Sequence, residues 1–220
     1  MAAPVFPAQS ATFKLPGPAG ELEVATDPPE ADVAPLPLTV VVCHPLSTEG
    51  GSLHNKVVTM VARSVRELGA RSVRFNFRGV GNSAGSFDEG NGELDDLRAV
   101  AGWVREQRPH DALWLAGFSF GAYVSLRAAD LLKPDALISI APPAGRWDFD
   151  RIVAPACPWL VVQGEDDEIV APQAVYDWID GLPRKPELVR MPDTSHFFHR
   201  KLMDLRGAIK HAMKAHVPTA

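Results

Sequence analysis

The chain of 220 residues has only two cysteines, Cys43 and Cys157. Two cysteines cannot make a disulfide framework or a four-cysteine zinc site. Each sits beside an apolar run, so both read as reduced, buried thiols. No segment approaches the roughly 20 apolar residues of a membrane span. A basic excess is also missing: 22 lysines and arginines stand against 27 aspartates and glutamates, a formal net charge of −5. A dedicated nucleic-acid binder normally carries the opposite balance. Met1–Pro7 lacks both the basic start and the uninterrupted apolar stretch of a secretion signal, so the cytoplasm is the expected compartment. There is no internal repeat and no low-complexity linker. With 46% hydrophobic and 22% charged residues, the composition is that of a folded protein and not of a disordered one.

Proline, by contrast, is abundant. The chain has 20, about 9% against a usual value near 5%. The excess marks element boundaries. Residues 1–37 hold Pro4, Pro7, Pro16, Pro18, Pro28, Pro29, Pro35 and Pro37. Two alternating pieces there, Thr12–Leu15 and Glu21–Thr26, flank Pro16-Gly17-Pro18 and are expected to pair as an antiparallel ribbon. Candidate strands follow at Leu38–Cys43, Ser72–Phe77, Ala112–Gly117, Ala136–Ala141, Trp159–Gln163 and Glu187–Met191. Most are nearly continuous apolar runs, the pattern of a parallel sheet buried on both faces. Helical patterns lie between them, from Val57 to Leu68, at Glu93–Arg108, Phe120–Leu132 and Pro172–Ile179, and from about His199 to Ala215. The alternation predicts an α/β fold, a mostly parallel doubly wound sheet with helices on both faces. One domain is expected over residues 1–220, with N-terminal strands and a Pro-rich loop at 1–37 and the α/β core at 38–215.

The strongest local signal is Gly117-Phe118-Ser119-Phe120-Gly121, between a predicted strand and a predicted helix. Strand, G-x-S-x-G, helix is the nucleophile-elbow context: the glycines leave room for a strained serine whose oxygen projects above the sheet. A serine hydroxyl is a poor nucleophile at neutral pH and needs a base, which needs an orienting acid. Both residue types occur at later strand ends. Asp167 follows Gly164-Glu165-Asp166, with Asp166 the neighbouring alternative. His196 follows Pro192-Asp193-Thr194-Ser195, with His199 as its competitor. An acyl-transfer site also needs N–H donors for a developing oxyanion. One is expected from Phe120 and the other from Leu46, in the loop after the first core strand, where His44 reads as structural.

Together these segments resemble the α/β-hydrolase superfamily. His54-Asn55-Lys56-Val57-Val58, Phe75-Asn76-Phe77-Arg78-Gly79-Val80-Gly81-Asn82-Ser83 and Leu115–Gly121 resemble more narrowly its small, lidless bacterial members related to dienelactone hydrolases. The resemblance spans roughly residues 38–200 and implies the fold, a Ser119, Asp167, His196 triad and a bacterial cytoplasmic setting. There is one departure: His44-Pro45-Leu46-Ser47 stands where that group carries His-Pro-His-Pro. The nucleophile here is also serine, whereas dienelactone hydrolases proper use cysteine.

The expected activity is cleavage of small carboxylic esters, with short to medium acyl chains, through an acyl-serine. A thioesterase or peptidase with the same triad is an alternative. A non-catalytic interaction module on this scaffold is another. Only Pro142–Pro158 lies between two strands where a cap domain would enter, too little for a lid. Trp147, Phe149 and Phe197 are expected as apolar walls of an open site. The expected partner is a small-molecule acyl substrate, with no nucleic acid and no membrane, and the chain is expected as a monomer or homodimer. No cofactor and no metal are called for. Gly79-Val80-Gly81-Asn82-Ser83-Ala84 matches a relaxed dinucleotide fingerprint, but no helix opens directly after it, so it reads as a loop shaping the rim of the site. The cations near the C-terminus read as solvation of a helix end.

Overall fold

Period-two alternation within the central strands decides the architecture. The computed structural model describes residues 4–219; Met1–Ala3, part of the segment read for a secretion signal, and Ala220 lie outside the described residues. Eight strands form one sheet: β1 (Ala11–Gly17), β2 (Gly20–Asp27), β3 (Leu38–Cys43), β4 (Arg71–Phe75), β5 (Ala112–Phe118), β6 (Ala136–Ile140), β7 (Trp159–Gly164) and β8 (Glu187–Met191). Their order is β1-β2-β4-β3-β5-β6-β7-β8. The β1–β2 and β2–β4 pairs are antiparallel and every later pair is parallel. Successive side chains of a strand point to opposite faces. Leu38, Val40 and Val42 of β3 therefore join one core with Trp114, Ala116 and Phe118 of β5. Val41, Cys43, Leu113 and Leu115 join the other.

Helices cover each face. Helices α1 (Lys56–Arg66) and α5 (Leu202–Met213) pack on the first, and α2 (Asn91–Gln107), α3 (Phe120–Leu132) and α4 (Pro172–Asp180) on the second. Helix α1 forms because Val57, Val58, Val61, Ala62 and Val65 fall on one stripe, all buried. Each buried valine contributes roughly 1.5–3 kcal/mol before the entropy of ordering the chain is charged against it. The Asn55 side chain caps it, accepting the Val57 and Val58 N–H groups at 2.9 and 3.3 Å. Among the described residues no helix is long and apolar enough to cross a membrane.

Most boundaries fall within a residue or two of the sequence expectation, and four of the departures have a clear local reason. The ribbon turns at Pro18-Ala19, and Pro16 lies inside β1 opposite Glu21; an edge strand tolerates the missing N–H. Strand β4 stops at Phe75 because the Phe77 N–H turns away to donate to the buried His44 ring. Helix α2 starts at Asn91, before the expected Glu93, because the Glu93 carboxylate accepts the Asp88 and Gly90 N–H groups and so fixes the first turn. Helix α5 starts at Leu202, not His199, since Phe198 and Arg200 have φ of 52° and 60°, which a right-handed helix cannot contain. Between β6 and β7, residues 141–158 make only turns and one isolated bridge, so no lid covers the carboxyl ends of the strands.

Glu67, at the end of α1, joins the two helices of one face. Its carboxylate accepts from Arg206 and Lys210 of α5 and from Arg63. Partial burial opposes ionisation, but these cations outweigh it and hold the carboxyl at about 2, against an ordinary 4.5. A group depressed in this way stabilises the fold above its unfolded value, and that contribution is lost as pH falls through the folded one. Glu67→Gln is therefore expected to lower Tm at pH 7, with the gap to wild type closing between about pH 5 and pH 2; thermal melts across that range check it.

Candidate active site

Ser119 joins β5 to α3 with φ 52° and ψ −119°, a conformation that costs an L-residue of order 1–3 kcal/mol. Neighbouring backbone holds it there. Its N–H donates to the Ile140 carbonyl at 2.8 Å, and its carbonyl accepts the Ala122 and Tyr123 N–H groups. The flanking glycines are dictated by close approach. A Cβ on Gly117 would sit 2.2 Å from the Gly121 carbonyl oxygen, and one on Gly121 would sit 2.3 Å from that of Cys43. The turn is as tight as the sequence pattern predicted, and it sets the serine oxygen at the carboxyl ends of the parallel strands.

Two later strand ends converge on it. His196 follows β8 and is 2% exposed. Its Nε2 lies 3.1 Å from Ser119 Oγ and its Nδ1 lies 2.8 Å from Asp167 Oδ2. An ionised Asp167 accepts only, so Nδ1 carries the proton and Nε2 is left to accept the serine hydroxyl. The carboxylate is fixed on both oxygens: Oδ1 accepts the Ile169 and Val170 N–H groups at 2.9 and 2.7 Å, and Oδ2 also accepts Gln163 Nε2 at 3.0 Å. Burial works against its charge, but the His196 ring and these amides prevail and hold the carboxyl below its ordinary value. The neighbouring Glu168 carboxylate accepts the His196 backbone N–H at 3.0 Å. Asp166 is exposed, with its N–H donating to the Thr194 carbonyl. His199 is exposed as well. The structure thus brings Asp167 and His196 to Ser119 and leaves both alternatives at the surface.

Phe120 opens α3, so its N–H has no carbonyl one turn back. Leu46 lies in the β3–α1 connection, where its carbonyl accepts the Glu49 and Gly51 N–H groups and closes a tight turn. His44, buried below that turn, has Nδ1 2.6 Å from the Pro45 carbonyl and accepts the Phe77 N–H on Nε2 at 3.0 Å. Burial pushes this ring down to about 4. It stays neutral and ties the Leu46 turn to the segment that follows β4. Leu46, Phe120, Ser119 and His196 all line one cavity of about 450 Å³.

Of the three expected walls, Trp147 and Phe197 line this cavity. Trp147 packs on Phe120 and Tyr123 with centroids 4.9 and 5.2 Å apart, and Phe197 stands half-exposed at the rim. Phe149 does not line it. Two residues beyond Trp147, it is buried against Tyr123 and Trp178. The glycine loop is also corrected: no residue from Arg78 to Ser86 lines the cavity. It is pinned to β2, where Glu23 accepts from the side chains of Asn76 and Asn82 and from the Asn82 N–H. Sequence reading missed Glu49, Arg146 and Val170 as lining residues. Val170 alone had a signal, its place three residues after the acid.

A family model described as alpha/beta hydrolase fold matches residues 39–154. The structure is similar to that of an a/b serine hydrolase without lid from Xanthomonas campestris, with 69% identity, 99% of each chain covered and a TM-score of 0.96. It is also similar to an alpha-beta serine hydrolase homologue from Coxiella burnetii, with 42% identity, 94% of this chain and 98% of that one covered, and a TM-score of 0.90. An uncharacterized protein of Rickettsia prowazekii is 30% identical over 88% of this chain and 84% of its own.

The elbow geometry predicts an asymmetry between glycines. Gly121→Ala drives a methyl into the Cys43 carbonyl and is expected to cost more than about 2 kcal/mol or to abolish folding. Gly207→Ala, in α5 with open space around its Cα, is expected to stabilise by about 0.5–1 kcal/mol. Urea denaturation of both variants checks the contrast.

Proposed function

The chain belongs to the alpha/beta hydrolase fold family, and we propose that it is a serine hydrolase cleaving small carboxylic esters through an acyl-serine. The observation that carries this reading is the unbroken chain from Ser119 Oγ through the His196 ring to Asp167, at 3.1 and 2.8 Å. Ser119 attacks the carbonyl while His196 Nε2 takes its proton and then returns it to the leaving alcohol. Asp167 keeps the ring in the required tautomer and stabilises the imidazolium. The Phe120 and Leu46 N–H groups receive the oxyanion; a single such donor is worth about 2.7–4 kcal/mol in sites of this type. Water activated by His196 then releases the acid.

The description of the Xanthomonas campestris relative as a serine hydrolase without lid supports the same reading. The cavity of about 450 Å³ suits short to medium acyl chains held between Trp147 and Phe197. No helix between β6 and β7 is present to move, so no activation by a lipid surface is expected. The continuous sheet supports one catalytic domain acting on a small molecule, and the cytoplasm suits such a substrate.

A fluorophosphonate is expected to label wild type on Ser119 and to leave folded Ser119→Ala unlabelled. The same variant is expected to lose at least about 10⁴-fold in kcat on an activated short-chain ester. Folded wild type that takes up no label would sink the proposal. A series of p-nitrophenyl esters from acetate to laurate reads the acyl preference, with kcat/KM falling at the long end.

A further inference from the structure

We infer that the cavity selects esters bearing a carboxylate a few bonds from the scissile carbonyl, half-esters of small dicarboxylic acids, and that Arg146 is the residue that recognises it. The inference rests on the serine-hydrolase reading for where the reacting carbonyl lies. Among the described residues Arg146 is the only lysine or arginine lining the cavity; it is exposed at the rim and held at both ends. Its backbone N–H donates to the Pro143 carbonyl at 3.1 Å within a turn closed by the Ala144–Trp147 bridge. Its Nη1 donates to the Ile169 carbonyl at 2.8 Å. The same Ile169 gives its N–H to Asp167, so the guanidinium is tied to the loop that orients the acid.

That contact uses one of five N–H donors. Among the described residues no carboxylate lies within ion-pair distance of Arg146, whereas Arg74 and Arg78 are each paired with an aspartate. Trp147, which follows it in the chain, Ile169, which it bonds, and Phe197 line the same cavity. A planar guanidinium beside apolar walls takes a carboxylate through two parallel charge-assisted hydrogen bonds. Among the described residues the one carboxylate on the lining is Glu49, on the Leu46 turn. It repels an anion from that wall, so the two charges together direct the acidic end toward Arg146.

The test compares p-nitrophenyl hemiglutarate with p-nitrophenyl valerate, a neutral ester of the same chain length, on wild type, Arg146→Gln and Glu49→Gln. Wild type is expected to favour the anionic ester. Arg146→Gln is expected to lower the anionic-to-neutral ratio of kcat/KM at least tenfold, mainly through KM, and Glu49→Gln to leave that ratio equal or higher. Equal losses on both esters in Arg146→Gln, or no change of ratio, overturn the inference. Binding is read separately from turnover. Monomethyl glutarate is expected to raise the Tm of Ser119→Ala, and not that of Ser119→Ala carrying Arg146→Gln; equal shifts overturn the inference. Absence of fluorophosphonate labelling instead marks failure of the hydrolase reading itself.

A different observation carries a second inference. Strand β7 is apolar from Trp159 to Val162, yet it continues with Gln163, fully buried. The Gln163 Nε2 donates to Asp167 Oδ2 at 3.0 Å and to the Gly164 carbonyl at 3.1 Å, while its Oε1 has no partner. A buried unpaired oxygen disfavours folding, so packing alone favours a leucine here. The geometry assigns Gln163 as a positioning residue that shares Oδ2 with the His196 ring, fixes the carboxylate and spreads its charge. The other groups on that carboxylate are the Ile169 and Val170 amides; Glu168 bonds the His196 backbone, and Tyr176 of α4 is near enough to feel the Asp167 charge.

Gln163→Leu is expected to keep or raise Tm, to lower kcat about tenfold with KM little changed, and to move the acid limb of kcat/KM to higher pH, because an undivided carboxylate holds the imidazolium more tightly. A lower Tm with an unmoved pH profile, or an unchanged kcat, overturns the assignment. Gln163→Met, of similar length and flexible, carries the same test if the leucine variant fails to fold.

Discussion

Everything at the candidate site hangs on how closely three stretches of backbone approach one another under Ser119. The end of β3, the end of β5 and the first turn of α3 meet where Gly117 and Gly121 have no side chain to keep them apart. That contact forces Ser119 into its left-handed conformation and aims α3 outward from the same point. It also brings the loop after β3 beside the loop after β5, so the Leu46 turn and the Phe120 N–H line one cavity. A single steric allowance thus places Ser119 and the Phe120 and Leu46 N–H groups. None of them can be moved without moving the others.

The acid and base arrive by a different route. Asp167 and His196 sit at the ends of β7 and β8, adjacent strands, and their loops are bonded to each other: the Asp166 N–H reaches the Thr194 carbonyl, and the Glu165 N–H the Met191 carbonyl. Asp167 then sits between the His196 ring and a fork of amides, which together favour its charged form against the opposing effect of burial. Its orientation needs no contribution from the histidine. The His196 ring is positioned by an acid that is already fixed, a preorganised arrangement of the kind acyl transfer requires.

Much of this was legible in the sequence, because the informative residues are close together in the chain. Gly117–Gly121 contains its own steric argument, and the acid and histidine each stand just past an apolar run whose end is easy to see. The alternation of β3 and β5 was equally readable. What could not be read depends on distant partners. Trp147 and Phe149 are two residues apart and both meet Tyr123, but the packing of Trp147 on Phe120 and of Phe149 on Trp178 decides which one faces the cavity. The glycine loop near Gly81 looked like part of the rim because nothing local reveals that Glu23, from β2, holds it elsewhere. The start of α5 was misplaced because Phe198 and Arg200 take left-handed conformations that nothing in their residue types announces. Arg146 and Glu49 were overlooked for the reverse reason: charged loop residues are common, and only the fold sets them around one space.

The short β6–β7 connection has a kinetic meaning beyond the size of what can enter. Many hydrolytic enzymes spend much of each cycle opening and closing over the substrate. With only turns over the carboxyl ends of its strands, the proposed reaction needs no such step, and entry and departure are then set by diffusion and by the grip of the walls. Under the proposed reaction, the same openness keeps bulk water against the acyl-serine throughout its lifetime. A competing alcohol must then outrun solvent that is always present, which biases the partition of that intermediate toward the free acid and away from transfer to another acceptor.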